Sequence, residues 1–286
     1  MSDRFFDNAA RDALVALYPE TPGRIAHGLA GHPLMELDSL VRLAARIRPV
    51  DIERNKADLP IGVDPADLRD TGMTVAETIR RIEQNGSWMV LKFVDQDPEY
   101  RALLHAVLAE IEPVIQAATG AMLKREAFVF ISSPGAMTPF HMDPEHNILM
   151  QCRGTKTMTV FPQGDRELAG PERHEAFHDG HHRNLPWQDD FAQRGTAFAL
   201  APGEAIYVPV KAPHFVRNGP EPSVSLSVTW RSEWSYREEQ AHGFNAMLRR
   251  TGLDPAAPAR FPRQNHAKSI AYRALARAGR MFGRDR

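Results

Sequence analysis

Two histidines and one aspartate are spaced in this sequence so that they could bind one metal ion. His141 and Asp143 lie two positions apart in the stretch TPFHMDPEHNILMQC, and on an extended strand both side chains point to one face. A third ligand must come from elsewhere, and His214 follows a second β-like stretch, EAIYVPVKAP. Two imidazoles and one carboxylate on one face of an ion leave its opposite positions open, as in non-heme Fe(II) oxygenases. An HxD triplet alone is weak, but its place in a β-rich half followed by His214 strengthens the interpretation.

The elements that would position these residues change in character near residue 126. Before that point, apolar residues recur at helical spacing, and Thr74 with Glu77 forms a capping-box signature. Helices are predicted over 7–18, 33–47, 74–84 and 98–119, with one strand over 87–94. After it, turn signals such as Arg153-Gly154 separate short β-like runs, which predict a sandwich or barrel. These runs are 127–133, 147–152, 155–161, 196–201, 204–210, 214–218 and 223–230, and two helices follow over 235–250 and 266–281.

The run SVSLSVTW shows a strict alternation. Ser225, Ser227 and Thr229 share one face, while the residues between them are apolar. A face of small polar residues suits either the lining of a wet cup or a surface on solvent. The strand by itself leaves both open.

Composition narrows the classes of protein. The chain has 286 residues, a formal net charge of −1 and one cysteine, Cys152. One cysteine excludes an intramolecular disulfide and any thiolate-rich metal site, so metal ligands would be nitrogen and oxygen. The charge balance disfavours a generally basic nucleic-acid binder. The N-terminus is not typical of a signal peptide, and no apolar run is long enough to span a bilayer. A soluble cytoplasmic protein without a membrane partner is the expectation.

The stretches 138–162 and 203–230 resemble the Jumonji-C, cupin-like branch of the 2-oxoglutarate and Fe(II)-dependent oxygenases. The nearest pattern is the asparaginyl-hydroxylase type, typified by the factor that inhibits hypoxia-inducible factor. The resemblance covers about residues 125–232. It places the family's metal ligands at His141, Asp143 and His214. Its residues around 2-oxoglutarate fall on Thr138, Asn147 and Lys156.

What the resemblance implies is a double-stranded β-helix of the jelly-roll or cupin type, within an α+β chain. Fe(II), 2-oxoglutarate and O₂ would be used, and 2-oxoglutarate would become succinate. Lys156 would bind the distal carboxylate of 2-oxoglutarate and Thr138 would add a hydroxyl bond, since an anion in a closed cup needs a cationic donor. Where the asparaginyl subgroup carries an asparagine late in the last core strand, this chain has Thr229. The tyrosine donors common in the family have no clear counterpart in the first half of the chain.

Several features near these stretches have less definite interpretations. Strand parity puts His146 off the His141 face, so a supporting or substrate contact is expected of it, and Glu145 is expected at the rim. Four histidines cluster in the insertion 163–195, and the i, i+4 pair could chelate zinc if it is helical. A mobile loop over the mouth of the cup is the favoured interpretation. The four are His174, His178, His181 and His182.

The last twenty residues are strongly basic and carry an apolar stripe. Ile270, Leu275, Ala278 and Met281 fall at helical spacing, and Lys268, Arg273, Arg277, Arg280, Arg284 and Arg286 stand against one acid, Asp285. A docking or dimerisation helix with a solvated basic face is favoured over a nucleic-acid or membrane contact. The resembling subgroup also dimerises through helices after the core. A homodimer through the C-terminal helices is therefore predicted.

These observations predict three parts: a helical region over 1–125, a double-stranded β-helix over 126–232 and a helical segment over 233–286. The predicted activity is hydroxylation of a side chain of a protein or peptide. One alternative is an N-methyl-lysine demethylase, whose chemistry begins in the same way. Another is a non-catalytic cupin that binds or regulates, and a zinc cupin such as a sugar isomerase is disfavoured by the HxD with Lys156. The sequence does not name the substrate.

Overall fold

The computed structural model describes residues 4–63 and 72–281. The helices are α1 (Asn8–Leu17), α2 (Leu37–Ala44), α3 (Val75–Arg80), α4 (Pro98–Ala109), α5 (Glu112–Thr119), α6 (Pro171–His178), α7 (Glu233–Arg249) and α8 (His266–Met281). The strands are β1 (Gly23–Ala26), β2 (Ile52–Lys56), β3 (Ser87–Leu91), β4 (Met122–Ser132), β5 (Met137–His141), β6 (His146–Arg153), β7 (Lys156–Val160), β8 (Thr196–Leu200), β9 (Glu204–Val208), β10 (His214–Asn218) and β11 (Ser223–Ser232). This α+β arrangement agrees with the predicted fold class.

The strands form two antiparallel sheets. The larger sheet has the order β1-β9-β6-β11-β4-β3-β2, and the smaller has the order β5-β10-β7-β8. Apolar side chains fill part of the space between them, where Leu149, Met158 and Val160 pack with Ile206 and Val208. Some of these apolar side chains also line the space beside the candidate metal ligands described below.

The outer face of the larger sheet packs on the helices. Val224, Leu226, Val228 and Trp230 of β11 belong to this helix-facing core. Ser225 and Ser227, on the other face of the same strand, are also buried. The polar face of β11 therefore lines the interior of the cup and not solvent.

The structure differs from the predicted elements in one helix and in two added strands. The single helix expected over 98–119 is two helices, α4 and α5, which are bent by 60° relative to each other. Pro113 lies in the first turn of α5, where a proline is tolerated, whereas in the middle of one long helix it would remove a hydrogen bond and clash with the preceding turn. The strands β1 and β2 were not expected in the region before residue 126. They add to the two edges of the larger sheet, so that sheet draws on both sides of the proposed boundary.

The helix termini follow the sequence signals. Thr74 and Glu77 form the predicted capping box at the start of α3, and Asp7 caps α1 through the amide of Ala10. The two C-terminal helices are present as α7 and α8. Within the described part of the chain no single helix is long and apolar enough to cross a bilayer, and only the bent pair α4 and α5 meets that test of length and composition together.

Candidate active site

The three candidate ligands come from two neighbouring strands of the smaller sheet. His141 is the last residue of β5, and Asp143 follows it by two positions. His214 is the first residue of β10 and pairs directly with His141 in the sheet register. The antiparallel pairing of these two strands thus brings residues 73 positions apart in sequence to one point.

The ligand atoms of these residues face one another. Asp143 Oδ2 lies 3.5 Å from His141 Nε2 and 3.7 Å from His214 Nε2, and the two imidazole centroids are 4.1 Å apart. Among the described residues, this is the one group of three histidine, cysteine or acidic side chains with ligand atoms all within 4.8 Å of one another. The donor set is two nitrogens and one oxygen, which suits a divalent transition metal with open positions.

Backbone carbonyls orient both imidazoles. His141 Nδ1 lies 2.7 Å from the carbonyl oxygen of Pro139, and His214 Nδ1 lies 2.9 Å from that of Ala212. A carbonyl only accepts, so each Nδ1 donates and each Nε2 keeps its lone pair for a metal. Burial, followed by the neighbouring His141, lowers the pKa of His214 to about 3 despite the opposing effect of Asp143. His214 is therefore neutral near pH 7, as a metal ligand must be.

Arg183 holds the carboxylate from the other side. Its Nη1 donates to Asp143 Oδ1 over 3.0 Å, which leaves Oδ2 directed at the two imidazoles. Burial would raise the pKa of Asp143, but Arg183, His141 and His214 outweigh it and hold that pKa well below its usual range. Sequence reasoning missed Arg183, because it lies in the insertion 163–195, where no periodicity or motif marks it.

A small space, the inner pocket, adjoins the three ligands. Its volume is about 30 Å³. Apart from the ligands it is lined by Trp88, Phe130, Thr138, Asn147, Leu149, Lys156, Met158 and Val216. Three residues to which the resemblance gives a role around 2-oxoglutarate, Thr138, Asn147 and Lys156, are therefore brought together beside the candidate metal ligands.

Lys156 is an unusual residue in this pocket, because its side chain is only 4% exposed. Burial lowers the pKa of Lys156 from its ordinary value to about 7. No acidic side chain among the described residues forms an ion pair with it. A buried ammonium group without an acid is costly unless an anion joins it.

Side chains on the polar face of β11 hydrogen-bond to side chains of the neighbouring strand β6, which contributes Asn147 to the inner pocket. Ser227 Oγ donates to Asn147 Oδ1 over 2.7 Å, and Ser225 Oγ donates to Gln151 Oε1 over 2.6 Å. Thr229 is the register partner of Asn147, and its buried hydroxyl has no hydrogen-bond partner in the described chain. It does not line the inner pocket, so its role toward a cosubstrate stays a prediction.

A larger cavity, the outer cavity, opens beside His141. It has a volume of about 580 Å³ and aromatic walls that include Trp88, Phe128 and Phe177. Its floor reaches Thr138 and Pro139, and one side is formed by the segment 180–184 of the insertion. Charges on the wall are paired, as Lys92 Nζ lies 2.6 Å from Glu53 Oε2. Trp88, Thr138 and His141 line both spaces.

His146 lies on the opposite side of the larger sheet from the pocket, as its parity predicted. Tyr207 donates its hydroxyl hydrogen to the carbonyl of Pro19, so His146 Nδ1 donates to the Tyr207 oxygen over 2.9 Å. Its Nε2 lies 3.1 Å from the Ser232 hydroxyl. The expectation of a supporting or substrate contact was wrong: His146 is a fully buried core residue among aromatic rings. Glu145 is half-buried near Lys124, and burial raises its pKa to about 7.

The four clustered histidines separate in the structure. His174 and His178 lie on α6, where their rings face His242 of α7 at centroid distances of 5.2 and 5.9 Å. They do not sit on a loop over the mouth, because α6 packs on α7 and buries His174. His181 and His182 do line the outer cavity. His174 and His178 do lie on a helix, as the zinc alternative required. Among the described residues, however, they do not belong to a group of three ligand atoms within 4.8 Å of one another, as His141, Asp143 and His214 do.

Comparison with known proteins places this geometry in a family. A cupin-like domain matches residues 62–236. The chain belongs to the family of cupin-like domains. The match covers more than half of the sequence and includes every candidate ligand. The asparaginyl-hydroxylase subtype is not tested by this match and stays a prediction.

Two curated relatives each match about a third of the chain. Jumonji C domain-containing protein 5 of Drosophila melanogaster is 32% identical over 111 residues, 35% of this chain and 26% of that protein. Lysine-specific demethylase 8 of Xenopus tropicalis is 29% identical over 102 residues, 34% of this chain and 23% of that protein. The chain therefore spans about a quarter of the length of these relatives.

A solved structure agrees over nearly the whole chain. YcfD of Escherichia coli superposes with a TM-score of 0.50 and 15% identity, covering 93% of this chain and 67% of YcfD. At this identity the likeness concerns the fold alone. The superposition covers the matched domain, residues 62–236, and also most of the chain before and after it.

Proposed function

We propose that the protein is an Fe(II) and 2-oxoglutarate-dependent oxygenase that hydroxylates a side chain of a protein or peptide. The observation that carries the proposal is a two-histidine, one-carboxylate group beside a pocket lined by the buried amine of Lys156. The donor set fits Fe(II), and the cation fits a dicarboxylate that reaches from the metal into the pocket. Relatives named for a Jumonji C domain and for lysine demethylation are consistent with this class.

Each residue has a separate task in this proposal. His141, Asp143 and His214 would hold the metal on one face. Iron with 2-oxoglutarate supplies the oxidation, in which one atom of O₂ enters succinate with loss of CO₂ and the other becomes the new hydroxyl group. Lys156 and Thr138 would bind the distal carboxylate of 2-oxoglutarate, with Asn147 beside them. The protein contributes orientation and the exclusion of water.

The outer cavity is the proposed position of the substrate side chain. It adjoins His141, and its aromatic walls and paired charges suit a side chain offered by an extended peptide. A volume of about 580 Å³ is in the range of small-molecule sites and exceeds one amino-acid side chain. The neighbouring backbone of the substrate could therefore also be in contact.

Succinate formation tests the proposal. We expect the purified protein with Fe(II), ascorbate and 2-oxoglutarate in air to form succinate, measured by NMR, even without its substrate. Asp143→Ala should lower the rate about a hundredfold or more, because changing a residue behind a metal ligand already costs 10–100-fold. Asp254→Ala, at a side chain that is 91% exposed, is the matched control. Succinate at the wild-type rate in Asp143→Ala would contradict the ligand assignment, and none from the wild type would favour a non-catalytic cupin.

The demethylase alternative has a separate signature. One relative is named as a lysine-specific demethylase, and hydroxylation of an N-methyl carbon releases formaldehyde. A peptide array that offers each side chain in methylated and unmethylated form separates the two reactions. We expect unmethylated peptides to gain the mass of one oxygen atom. Formaldehyde from methylated lysine alone would favour the demethylase.

A further inference from the structure

Trp88 lines the inner pocket and has an unpaired hydrogen-bond donor. The residue lies on β3 and is 3% exposed, and its indole Nε1–H has no acceptor in the described part of the chain. A buried donor without an acceptor destabilises the folded chain unless a ligand supplies one. The position of Trp88 is fixed by the sheet, since it pairs with Ser132 of β4 on one side and Asn55 of β2 on the other.

The groups around the inner pocket favour an acceptor-rich ligand. An indole N–H and a lysine ammonium only donate, and a threonine hydroxyl can donate as well. Trp88, Thr138 and Lys156 bring these groups from three different strands, β3, β5 and β7. The remaining wall is mainly apolar, with Phe130, Leu149, Met158 and Val216. A carboxylate has two oxygens with about four acceptor positions, so it can satisfy all three donors at once.

From this convergence, and resting on the proposed function, we propose that the Trp88 indole N–H binds the distal carboxylate of 2-oxoglutarate, together with Lys156 and Thr138. No tyrosine lines the inner pocket among the described residues, so Trp88 supplies the neutral donor that the sequence left unassigned. Trp88 also lines the outer cavity. Trp88 and Phe130 both lie between the cosubstrate space and the proposed substrate space.

Binding without turnover tests this role. The affinity of the Mn²⁺-loaded protein for 2-oxoglutarate is measured by calorimetry for the wild type and Trp88→Phe, which keeps an aromatic ring and removes the N–H. We expect the dissociation constant to rise about tenfold or more, the value of a hydrogen bond to a charged group. The second ligand is 2-oxopentanoate, which has the same carbon chain with a methyl group in place of the distal carboxylate. Its dissociation constant should change by less than about twofold.

Trp230→Phe is the matched control. Trp230 also has a buried Nε1–H without a partner, but it packs on the helix side of the larger sheet. Its replacement should leave both affinities as in the wild type. If Trp88→Phe lowered the affinity for both ligands equally, or lowered neither affinity, the proposal would be overturned. A wild-type protein that binds Mn²⁺ but not 2-oxoglutarate would instead contradict the proposed function.

The wild-type protein gives an independent readout if Trp88→Phe folds poorly. The chain has four tryptophans, so its indole N–H signals can be followed by NMR in the Zn²⁺ form. Replacing Trp187, Trp230 and Trp234 one at a time with phenylalanine assigns three signals and leaves the fourth to Trp88. We expect the Trp88 indole proton to move downfield when 2-oxoglutarate is added and to stay in place with 2-oxopentanoate. The same small shift with both ligands would overturn the proposal.

Discussion

The carboxylate of Asp143 has a different partner on each oxygen. Arg183 binds Oδ1, and the two imidazole Nε2 atoms lie near Oδ2. This division matters because a free carboxylate can rotate and bind a metal in several ways. Arg183 fixes one orientation and also keeps Asp143 ionised. The insertion 163–195 thus contacts the candidate metal ligand Asp143 through the side chain of Arg183.

Replacing Arg183 should weaken metal binding. We expect Arg183→Met to raise the dissociation constant for Co²⁺, followed by its visible absorption, about 10- to 100-fold, the usual effect of losing a residue that orients a ligand. Arg194→Met is the control, because Arg194 belongs to the same insertion but pairs with Asp165 and Glu167. An unchanged Co²⁺ affinity in Arg183→Met would contradict the positioning role.

Turns between strands determine whether the two sheets can close. Gly154 joins β6 to β7 with a φ of +65°, and a Cβ there would lie 2.3 Å from the carbonyl oxygen of Pro222. Gly135 joins β4 to β5 with a φ of +69°, and a Cβ there would meet nothing within 4 Å. The two glycines share a left-handed backbone, but only Gly154 also needs the space.

Alanine substitutions at these two turns should therefore differ. Gly135→Ala should lower the free energy of unfolding by about 1–2 kcal/mol, the cost of a left-handed L-residue. Gly154→Ala adds a backbone clash, and we expect a loss of at least about 3 kcal/mol. Urea unfolding followed by circular dichroism measures both. Equal losses would show that the approach of Pro222 does not constrain the turn.

Buried histidines connect the stability of the whole molecule to pH. Burial lowers the pKa of His146 and of His174 to about 3. In the unfolded chain an imidazole titrates near pH 6.5. Below that pH the unfolded chain binds protons that the folded protein does not, so stability is complete above pH 6.5 and falls as the pH drops toward 3.

Removing one of these groups should flatten the acid side of the stability profile. Each depressed histidine contributes a slope of about 1.4 kcal/mol per pH unit at pH values well below 6.5. We expect His146→Gln to be less stable at pH 7, because its bonds to Tyr207 and Ser232 are altered, but to lose stability more slowly with acid. Urea unfolding from pH 6 to pH 4 measures the slope. A slope equal to that of the wild type would contradict a neutral, buried His146.

Two sequence predictions about the whole molecule, its domain boundaries and its oligomeric state, stay open. The domain boundaries at 126 and 233 stay predictions, although the larger sheet crosses the first. The homodimer also stays a prediction, with Ile270 and Leu275 of α8 more than half exposed. Arg284, Asp285 and Arg286 of the basic tail lie outside the described residues.

The sequence by itself determined the local features of this protein. The HxD spacing, the alternation in β11, the capping box at Thr74 and the turn glycines each depend on residues that are close in the chain. Together with the family resemblance they were sufficient to predict the α+β fold and to select His141, Asp143 and His214. Lys156, Thr138 and Asn147 followed from the same register. Apolar residues that recur every two or every 3.6 positions indicate which face of a strand or helix is buried, and this pattern can be read from the sequence alone.

Only the tertiary structure decided the contacts that have no local pattern. Arg183 reaches Asp143 from a polar insertion, and β1 and β2 are strands because each finds the edge of an existing sheet. Trp88 reads as an ordinary core residue in SWMVL until the pocket beside its indole is seen. His146, His174 and His178 are placed by packing against distant helices and strands. In each case the decisive partner is far away in sequence. The spacing of residues along the chain does not indicate which distant residues will come into contact.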